Sequence, residues 1–442
     1  MGLSLLRCGD MKFPGRRKTK HYFPVTEKGR AAVGDTIHQS SSVYIVGLDQ
    51  LLVDIEIETT DEFLAANNFA KGQSFIIDDE LCEDIYQEAK AKNLIRGEFP
   101  GGAIGNTLHN YSVLSENPCY ALGAIKKQIE VGDYAYRYLC KTSGLVDMSY
   151  LQPAEKPMGR ALCFITPDLE RTFAISKGCM NDYSEEFIPE EVIANAAALL
   201  VSAYTLRDEN DIVFKATMKA CEVAKSRGVP VVMSLGTSHL VRDKREFLKE
   251  FSSKYVTALA MNAEEAYELT ECEDSLLAAE AALELVDLAL VTVGKKGLYL
   301  ASYTDEDVKR RTKEPLVTKS LVNYNEFEYS RAMRKRDCKM PLKIYTHINP
   351  FNGGPLTIKN TNGAGDAALA ALLHDISAND HHKSQIPNSP KHDATYLTYS
   401  SISQISKYAN RVSFEVLSQS SPRLYKGLPE REDSLEDGYW SK

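Results

Sequence analysis

From about residue 193 onward, short apolar runs at 196–201, 229–235, 256–261 and 288–293 alternate with helix-length segments at 214–227, 263–270 and 276–285. Apolar runs of that length read as strands buried on both faces, and strands alternating with helices build βα units. This restricts the chain to an α/β architecture: a mainly parallel sheet with helices on both faces. In such sheets ligands collect at the carboxyl ends of the strands, so the loops that follow these runs are where chemistry is expected.

The first half is less regular. Residues 43–46, ending at Gly47, and residues 51–57 read as strands. The 71–94 stretch is predicted to be largely helical. Phe99-Pro100-Gly101-Gly102 breaks the chain before a helix over 106–114, and Thr166-Pro167-Asp168 predicts a hairpin within 159–175. Residues 302–356, charged and ending in Phe351-Asn352-Gly353-Gly354-Pro355, read as a partly ordered insertion. Residues 12–22 form a basic arm, read as solvated. The acidic 428–442 tail carries the only tryptophan, Trp440, which is expected to pack against the body.

A net charge of −9 argues against a general nucleic-acid-binding surface. No apolar run approaches the roughly 20 residues needed to span a bilayer. Nine scattered cysteines, without a Cys-x-x-Cys and without a signal sequence, suggest reduced thiols in a cytoplasm and no structural zinc. Met11 competes with Met1 as the start.

The segment 360–373 carries the most chemistry. In Asn360-Thr361-Asn362-Gly363-Ala364-Gly365-Asp366, two glycines open an Ala/Leu-rich helical run. Such a loop points consecutive backbone N–H groups at one anion, reinforced by the positive end of the helix. A carboxylate placed there repels the anion, and the natural reason for it is proton abstraction from an alcohol that attacks a phosphate. Asp366 is expected to be charged at neutral pH. The segment also fits the looser dinucleotide pattern, but no strand follows it closely, and no Gly-x-x-x-x-Gly-Lys-Ser/Thr occurs anywhere.

Other candidates lie near strand ends. Asp49 and Asp54 follow the first strand, where a carboxylate either accepts from two sugar hydroxyls or serves as a turn or cap residue. Gly101-Gly102-Ala103-Ile104-Gly105-Asn106 is a second glycine turn opening a helix. In Asn262-Ala263-Glu264-Glu265, the last Glu is either a capping-box partner or a holder of the water shell of Mg²⁺. Thr292-Val293-Gly294-Lys295-Lys296-Gly297 closes a strand with glycines that permit close approach to a nucleotide.

Taken in order, Gly101-Gly102 with Asn106, Asn262 with Glu265, Thr292 with Gly294 and Gly297, and Asn362 to Asp366 resemble the ribokinase-like (PfkB) carbohydrate and nucleoside kinases. The stretch from Gly47 to Ile55 is similar to that family's sugar-binding first motif. Asp54 followed by Ile55 is most like its nucleoside-phosphorylating branch. The resemblance covers nearly the whole chain, including 12–15, 329–333 and 427–436, and departs in the first ten residues. It implies a three-layer αβα Rossmann-like core over 43–427, with a small β lid from about 54–60 and 160–175, an extension at 1–42 and a tail at 428–442.

The implied reaction is ATP plus inosine or guanosine giving ADP and the 5′-monophosphate, a purine-salvage step in the cytoplasm. Asp366 is then the base, and the amides of Gly363, Ala364, Gly365 and Asp366 surround the migrating phosphoryl group. Asp54, with Gly102 and Asn106, holds the ribose; Asp49 lines the same pocket; Arg207 reaches substrate. Thr292, Gly294, Gly297, Asn362 and Asn410 attend ATP. Asn262 and Glu265 arrange the waters of Mg²⁺. The resemblance leaves room for a monovalent cation and a homodimer, and implies neither nucleic acid nor membrane as partner. A sugar kinase of the same superfamily and a nucleotide-sensing protein with a relict site are the other two readings; the intact Asp366 argues against the second.

Overall fold

The computed structural model describes residues 43–168, 170–312, 319–351 and 358–428. The basic arm, Met1 and Met11, Trp440 with the rest of the 429–442 tail, and positions 352–355 lie outside the described residues.

A twelve-stranded sheet forms the centre. Its parallel run, in spatial order, is Leu288–Thr292, Ala258–Asn262, Val231–Ser234, Ala198–Ser202, Ile45–Leu48 and Cys119–Lys126. Side chains alternate between the two faces with the strand period of two. Val46, Leu48, Leu199 and Val201 pack on one side against helices that include Ile212–Ser226 and Arg245–Tyr255. Ile45, Ala198 and Leu200 pack on the other against Ala103–Ser115, Ala364–Gln385 and Ile402–Leu417. The apolar runs are continuous because both faces are covered.

The first described strand, Ile45–Leu48, lies inside this sheet, between Ala198–Ser202 and Cys119–Lys126. The chain builds outward from it in both directions. That reversal makes a crevice above the ends of Ile45–Leu48 and Ala198–Ser202, the switch point where α/β sheets bind ligands.

The 302–356 segment, expected to interrupt the pattern, instead extends the sheet. Leu298–Asp305 runs antiparallel to Leu288–Thr292 and pairs with both Arg331–Met333 and Pro341–Ile348. Its aromatics supply part of the packing: Tyr303 is buried in the core.

Residues 51–57 do not continue the main sheet. Leu52–Glu58 belongs to a second, five-stranded sheet ordered Ser74–Ile77, Arg171–Ser176, Gly159–Ile165, Leu52–Glu58, Ile95–Pro100. The hairpin expected within 159–175 is its antiparallel Gly159–Ile165 and Arg171–Ser176 pair. The 71–94 stretch is not largely helical throughout. Ser74–Ile77 is an edge strand paired with Arg171–Ser176, a partner far away in sequence. The helix Asp79–Ala91 starts only after Asp78, whose carboxylate accepts from the Leu81 amide at 2.7 Å.

One face of this smaller sheet packs Val53, Ile55, Ile57 and Phe164 against Cys82, Ile85 and Tyr86 of that helix. Large apolar side chains buried in this way contribute roughly 1.5–3 kcal/mol each. The opposite face presents Leu52, Asp54, Ala161, Phe173 and Ile175 to the crevice of the main sheet. Among the described residues, no helix is long and apolar enough to cross a membrane, and all eight described cysteines are free.

Candidate functional site

A cavity of about 290 Å³ lies between the switch point and the smaller sheet. It gathers residues spread over more than three hundred positions: Asp49, Asp54, Gly102, Asn106, Arg207, Asn362, Gly363 and Asp366.

The 22-residue helix Ala364–Gln385 begins at Gly363, which sits at φ 78°. That left-handed conformation suits glycine, and a Cβ there would come 2.6 Å from the carbonyl oxygen of Pro422. No side chain caps the helix start, so its first amides remain available to an anion. A Cβ on Gly365 would meet only open space within 4 Å. Asp366 stands in the first turn, and its Oδ2 accepts from Nδ2 of Asn106 at 3.2 Å.

The second glycine turn is explained by the two aspartates it faces. A Cβ on Gly101 would lie 2.7 Å from the Asp54 carboxyl carbon, and one on Gly102 would collide with Asp49 Oδ2. Gly102, at φ 89°, is the N-cap of Ala103–Ser115 and offers no side chain. Asp49 caps the helix in its place, with Oδ2 accepting from the Gly105 amide at 2.7 Å. Asp49 therefore lines the cavity and caps a helix at once.

Burial pushes Asp366 up to about 7, and the carboxylates of Asp49 and Asp54 add to the rise; the Asn106 bond and the Arg423 charge oppose it. Burial also raises Asp49 to about 7, against the pull of the Gly105 and Gln50 amides and Arg423. Asp54 rises to about 7 by burial, with Arg423 pulling it down and Glu56 pushing it up. Three neighbouring acids of this kind titrate as a group. The expectation that Asp366 is charged at neutral pH thus meets an opposing push, from burial and from two like charges nearby.

Arg207 follows the turn Ala203–Leu206 at the end of Ala198–Ser202, lines the cavity and lies over the Tyr204 ring at 5.4 Å. Asn362 lines the cavity too, and its Oδ1 accepts from Arg171 of the smaller sheet. Arg171 also donates to Asn360 Oδ1 at 3.1 Å, so one cation ties the smaller sheet to the glycine loop.

The remaining candidates lie apart from this cavity. Thr292 ends its strand, and the turn Gly294–Lys296 follows. A Cβ on Gly297 would collide with the carbonyl of Ile348, so packing alone requires that glycine. Asn410 donates to the carbonyl of Asn349, at 2.8 Å, which places it beside the same turn. Asn262 and Glu265 form a complete capping box: Glu265 accepts from the Asn262 amide at 2.9 Å and from its Nδ2 at 2.7 Å. Burial raises Glu265 to about 7. Among the described residues no cluster of three or more His, Cys, Asp or Glu could cage a metal. With both Glu265 oxygens already engaged, the pair fits Mg²⁺ through water rather than by direct ligation.

Sequence reasoning missed Arg171, Asn360 and Arg423. Arg171 and Arg423 sit beside no recognisable motif, and Asn360, which opens the glycine segment, is marked out only by the bonds it makes here. Arg423, from the segment after the helix Ile402–Leu417, donates through Nε to Asn106 Oδ1 at 2.9 Å across 317 positions.

Comparison with known proteins agrees with this geometry. The family described as "pfkB family carbohydrate kinase" matches residues 65–317. A guanosine-inosine kinase of Escherichia coli K12 is 51% identical over 434 residues, covering 98% of this chain and 100% of that protein. Among solved structures, an adenosine kinase of Sinorhizobium meliloti aligns with a TM-score of 0.64 at 20% identity, over 88% of this chain and 97% of that one. A probable sugar kinase of Rhizobium etli CFN 42 aligns equally well, at 0.64 and 18%, over 88% and 96% of the two chains. At such identities the last two speak for the fold, and with the family match and the full-length relative they establish that this chain is a member of the pfkB family of carbohydrate kinases, with its ribokinase-like α/β fold.

Proposed function

We propose that the protein transfers the γ-phosphoryl group of ATP to the 5′-hydroxyl of guanosine or inosine, giving ADP and GMP or IMP. One observation carries the reading: Asp366, at the open start of a long helix, shares a cavity with Asp54, which projects from a separate sheet. A base beside an anion cradle and a carboxylate across the cavity suit a sugar held at one end and phosphorylated at the other. The relative that is half identical over its full length bears the matching name.

In this reading Asp54 accepts from the ribose 2′- and 3′-hydroxyls. Asp366 takes the 5′-hydroxyl proton while that oxygen bonds to the γ-phosphorus and the bond to the leaving ADP oxygen breaks. The amides of Ala364, Gly365 and Asp366 face the charge carried by the phosphoryl oxygens. Phosphoryl transfer asks mainly for positioning and electrostatics, which these groups supply. A base titrating near 7 is well matched to neutral pH. The smaller sheet acts as a lid, and Phe173, Ile175 and Met180 supply an apolar wall. A purine can use that wall and a bare sugar cannot, which favours a nucleoside over a hexose. Asn262 and Glu265 would hold Mg²⁺ through its water shell, and the ion would supply positive charge to offset that of the phosphates.

Two measurements test the assignment. ADP release compared across inosine, guanosine, adenosine, cytidine and ribose should be fastest with the first two; equal or faster turnover of ribose would make this a sugar kinase. Glu265→Gln should raise the Mg²⁺ concentration needed for half-maximal rate, because a charged acceptor for its waters is lost. An unchanged Mg²⁺ titration would leave Glu265 as a capping residue only.

A further inference from the structure

Arg423 belongs to none of the motifs above, yet it is only 3% exposed and sits directly behind the site. The segment that carries it is stitched to two motifs at once. The Leu424 amide donates to Asn110 Oδ1 at 2.8 Å, and the Leu424 carbonyl is 2.9 Å from His109 Nε2. Both partners lie on Ala103–Ser115, the helix that carries Asn106. On the other side, Pro422 closes against Gly363 so tightly that only glycine fits.

Each nitrogen of the guanidinium donates, but only to neutral acceptors. Nε donates to Asn106 Oδ1 at 2.9 Å, Nη1 to Thr142 Oγ1 at 2.7 Å, and Nη2 to the Tyr138 hydroxyl at 3.2 Å and the Gly101 carbonyl at 3.4 Å. None of these is a carboxylate. A buried cation is costly unless opposite charge offsets it. The offset comes at one remove, from Asp49, Asp54 and Asp366, each of which Arg423 favours in its charged form.

The bond to Asn106 has a directional consequence. A guanidinium has donors only, so it must meet the amide oxygen of Asn106. The amide nitrogen is then turned toward Asp366 Oδ2, 3.2 Å away. The flipped amide would set donor against donor and oxygen against carboxylate.

We propose that Arg423 is a positioning residue for phosphoryl transfer: it orients the Asn106 amide onto Asp366 and supplies positive charge shared among the three carboxylates, so that the segment after the helix Ile402–Leu417 completes the catalytic site. The inference rests on the nucleoside-kinase reading above. The charged and titratable groups around Asp366 are Asp49 and Asp54, Arg423, and the Tyr204 hydroxyl, which Asp366 raises and Arg207 lowers. Around Arg423 stand Tyr138 and His109, whose imidazole burial and the Arg423 charge hold down at about 4.

The test is the pH dependence of kcat and kcat/KM for guanosine in the full-length parent enzyme, Arg423→Gln and Arg423→Lys. In Arg423→Gln, kcat at pH 7 should fall at least about tenfold, and the acid limb of kcat/KM should move up by roughly one pH unit. Part of the loss should return at pH 9, where Asp366 ionises without help, while the several-fold part that comes from the freed Asn106 amide should remain. Arg423→Lys keeps the charge but cannot reach Asn106, Thr142 and Tyr138 together. Its limb should stay in place while kcat falls several-fold at every pH. A loss of equal size at all pH values in Arg423→Gln would mark Arg423 as mere packing, and parent-like kinetics would also overturn the proposal. If Arg423→Gln fails to fold, the lysine variant decides: a displaced limb, or full activity, refutes the role. A parent enzyme inactive on guanosine and inosine would strike the functional reading itself, and this inference with it.

Discussion

Asp366→Asn should lower kcat for guanosine or inosine by about 10²–10⁴-fold, the usual effect of removing a general base. The amide keeps the size of the carboxylate and can still pair with Asn106, so the fold and ATP binding should persist. Loss of a negative charge beside the phosphates should, if anything, tighten ATP binding. Rates are to be compared on protein with a native-like melting curve; turnover within about threefold of the parent would reduce Asp366 to the first turn of a buried helix. The same acid sets a pH dependence. Its active form is the carboxylate, raised to about 7, so kcat/KM should drop as pH falls through about 7. Stability runs the other way. The folded value lies above the roughly 3.9 of an unfolded aspartate, so between the two the folded state binds the extra proton. The contribution of Asp366 to stability is greatest below about pH 4 and is lost as pH rises through about 7. Asp366→Asn, which cannot ionise, should therefore melt higher than the parent at pH 8, with the difference shrinking toward pH 5.

Asp54→Ala should cut kcat/KM for the nucleoside at least about tenfold and leave the KM for ATP nearly unchanged. Hydrogen bonds to a charged group contribute roughly 1.5–3 kcal/mol each, and the carboxylate is proposed to accept two. The side chain is well placed for selective loss: it projects from the open face of the smaller sheet, while Val53 and Ile55 on the other face hold the core. 2′-Deoxyguanosine should be a poorer substrate than guanosine for the parent and lose its disadvantage in the variant. Equal use of the two nucleosides by the parent, together with normal kinetics in Asp54→Ala, would remove Asp54 from the ribose.

Much of the site was legible because its chemistry is local. Asn362 to Asp366 form one continuous loop and helix start, and Gly102 to Asn106 another, so each announces its backbone geometry in five residues. The glycines of these turns are legible either as ligand approach or as ordinary turns. The structure assigns several of them to packing: Gly101 and Gly102 yield space to Asp54 and Asp49, and Gly297 to the Ile348 carbonyl. The capping box at Asn262 and Glu265 was legible as one of two readings, and it is present whichever role Mg²⁺ gives it.

The alternation of buried strands and helices is written into the chain, because double-sided burial demands continuous apolar runs and helices demand their own period. The residues able to act as base, cradle and sugar clamp are written there too, since those are properties of side-chain type and loop geometry. Other features come into being only when distant segments meet. Ser74–Ile77 is a strand because Arg171–Ser176 offers it an edge. Arg331–Met333 and Pro341–Ile348 join the main sheet because Leu298–Asp305 offers them partners. Arg423 reaches Asn106 from 317 positions away, and Arg171 reaches the glycine loop from 191. Pairing between distant segments leaves no local period or motif to read. The raised pKa values of the three aspartates arise likewise, from burial, and for Asp366 also from Asp49 and Asp54 nearby, which exist only once the two sheets meet at one cavity.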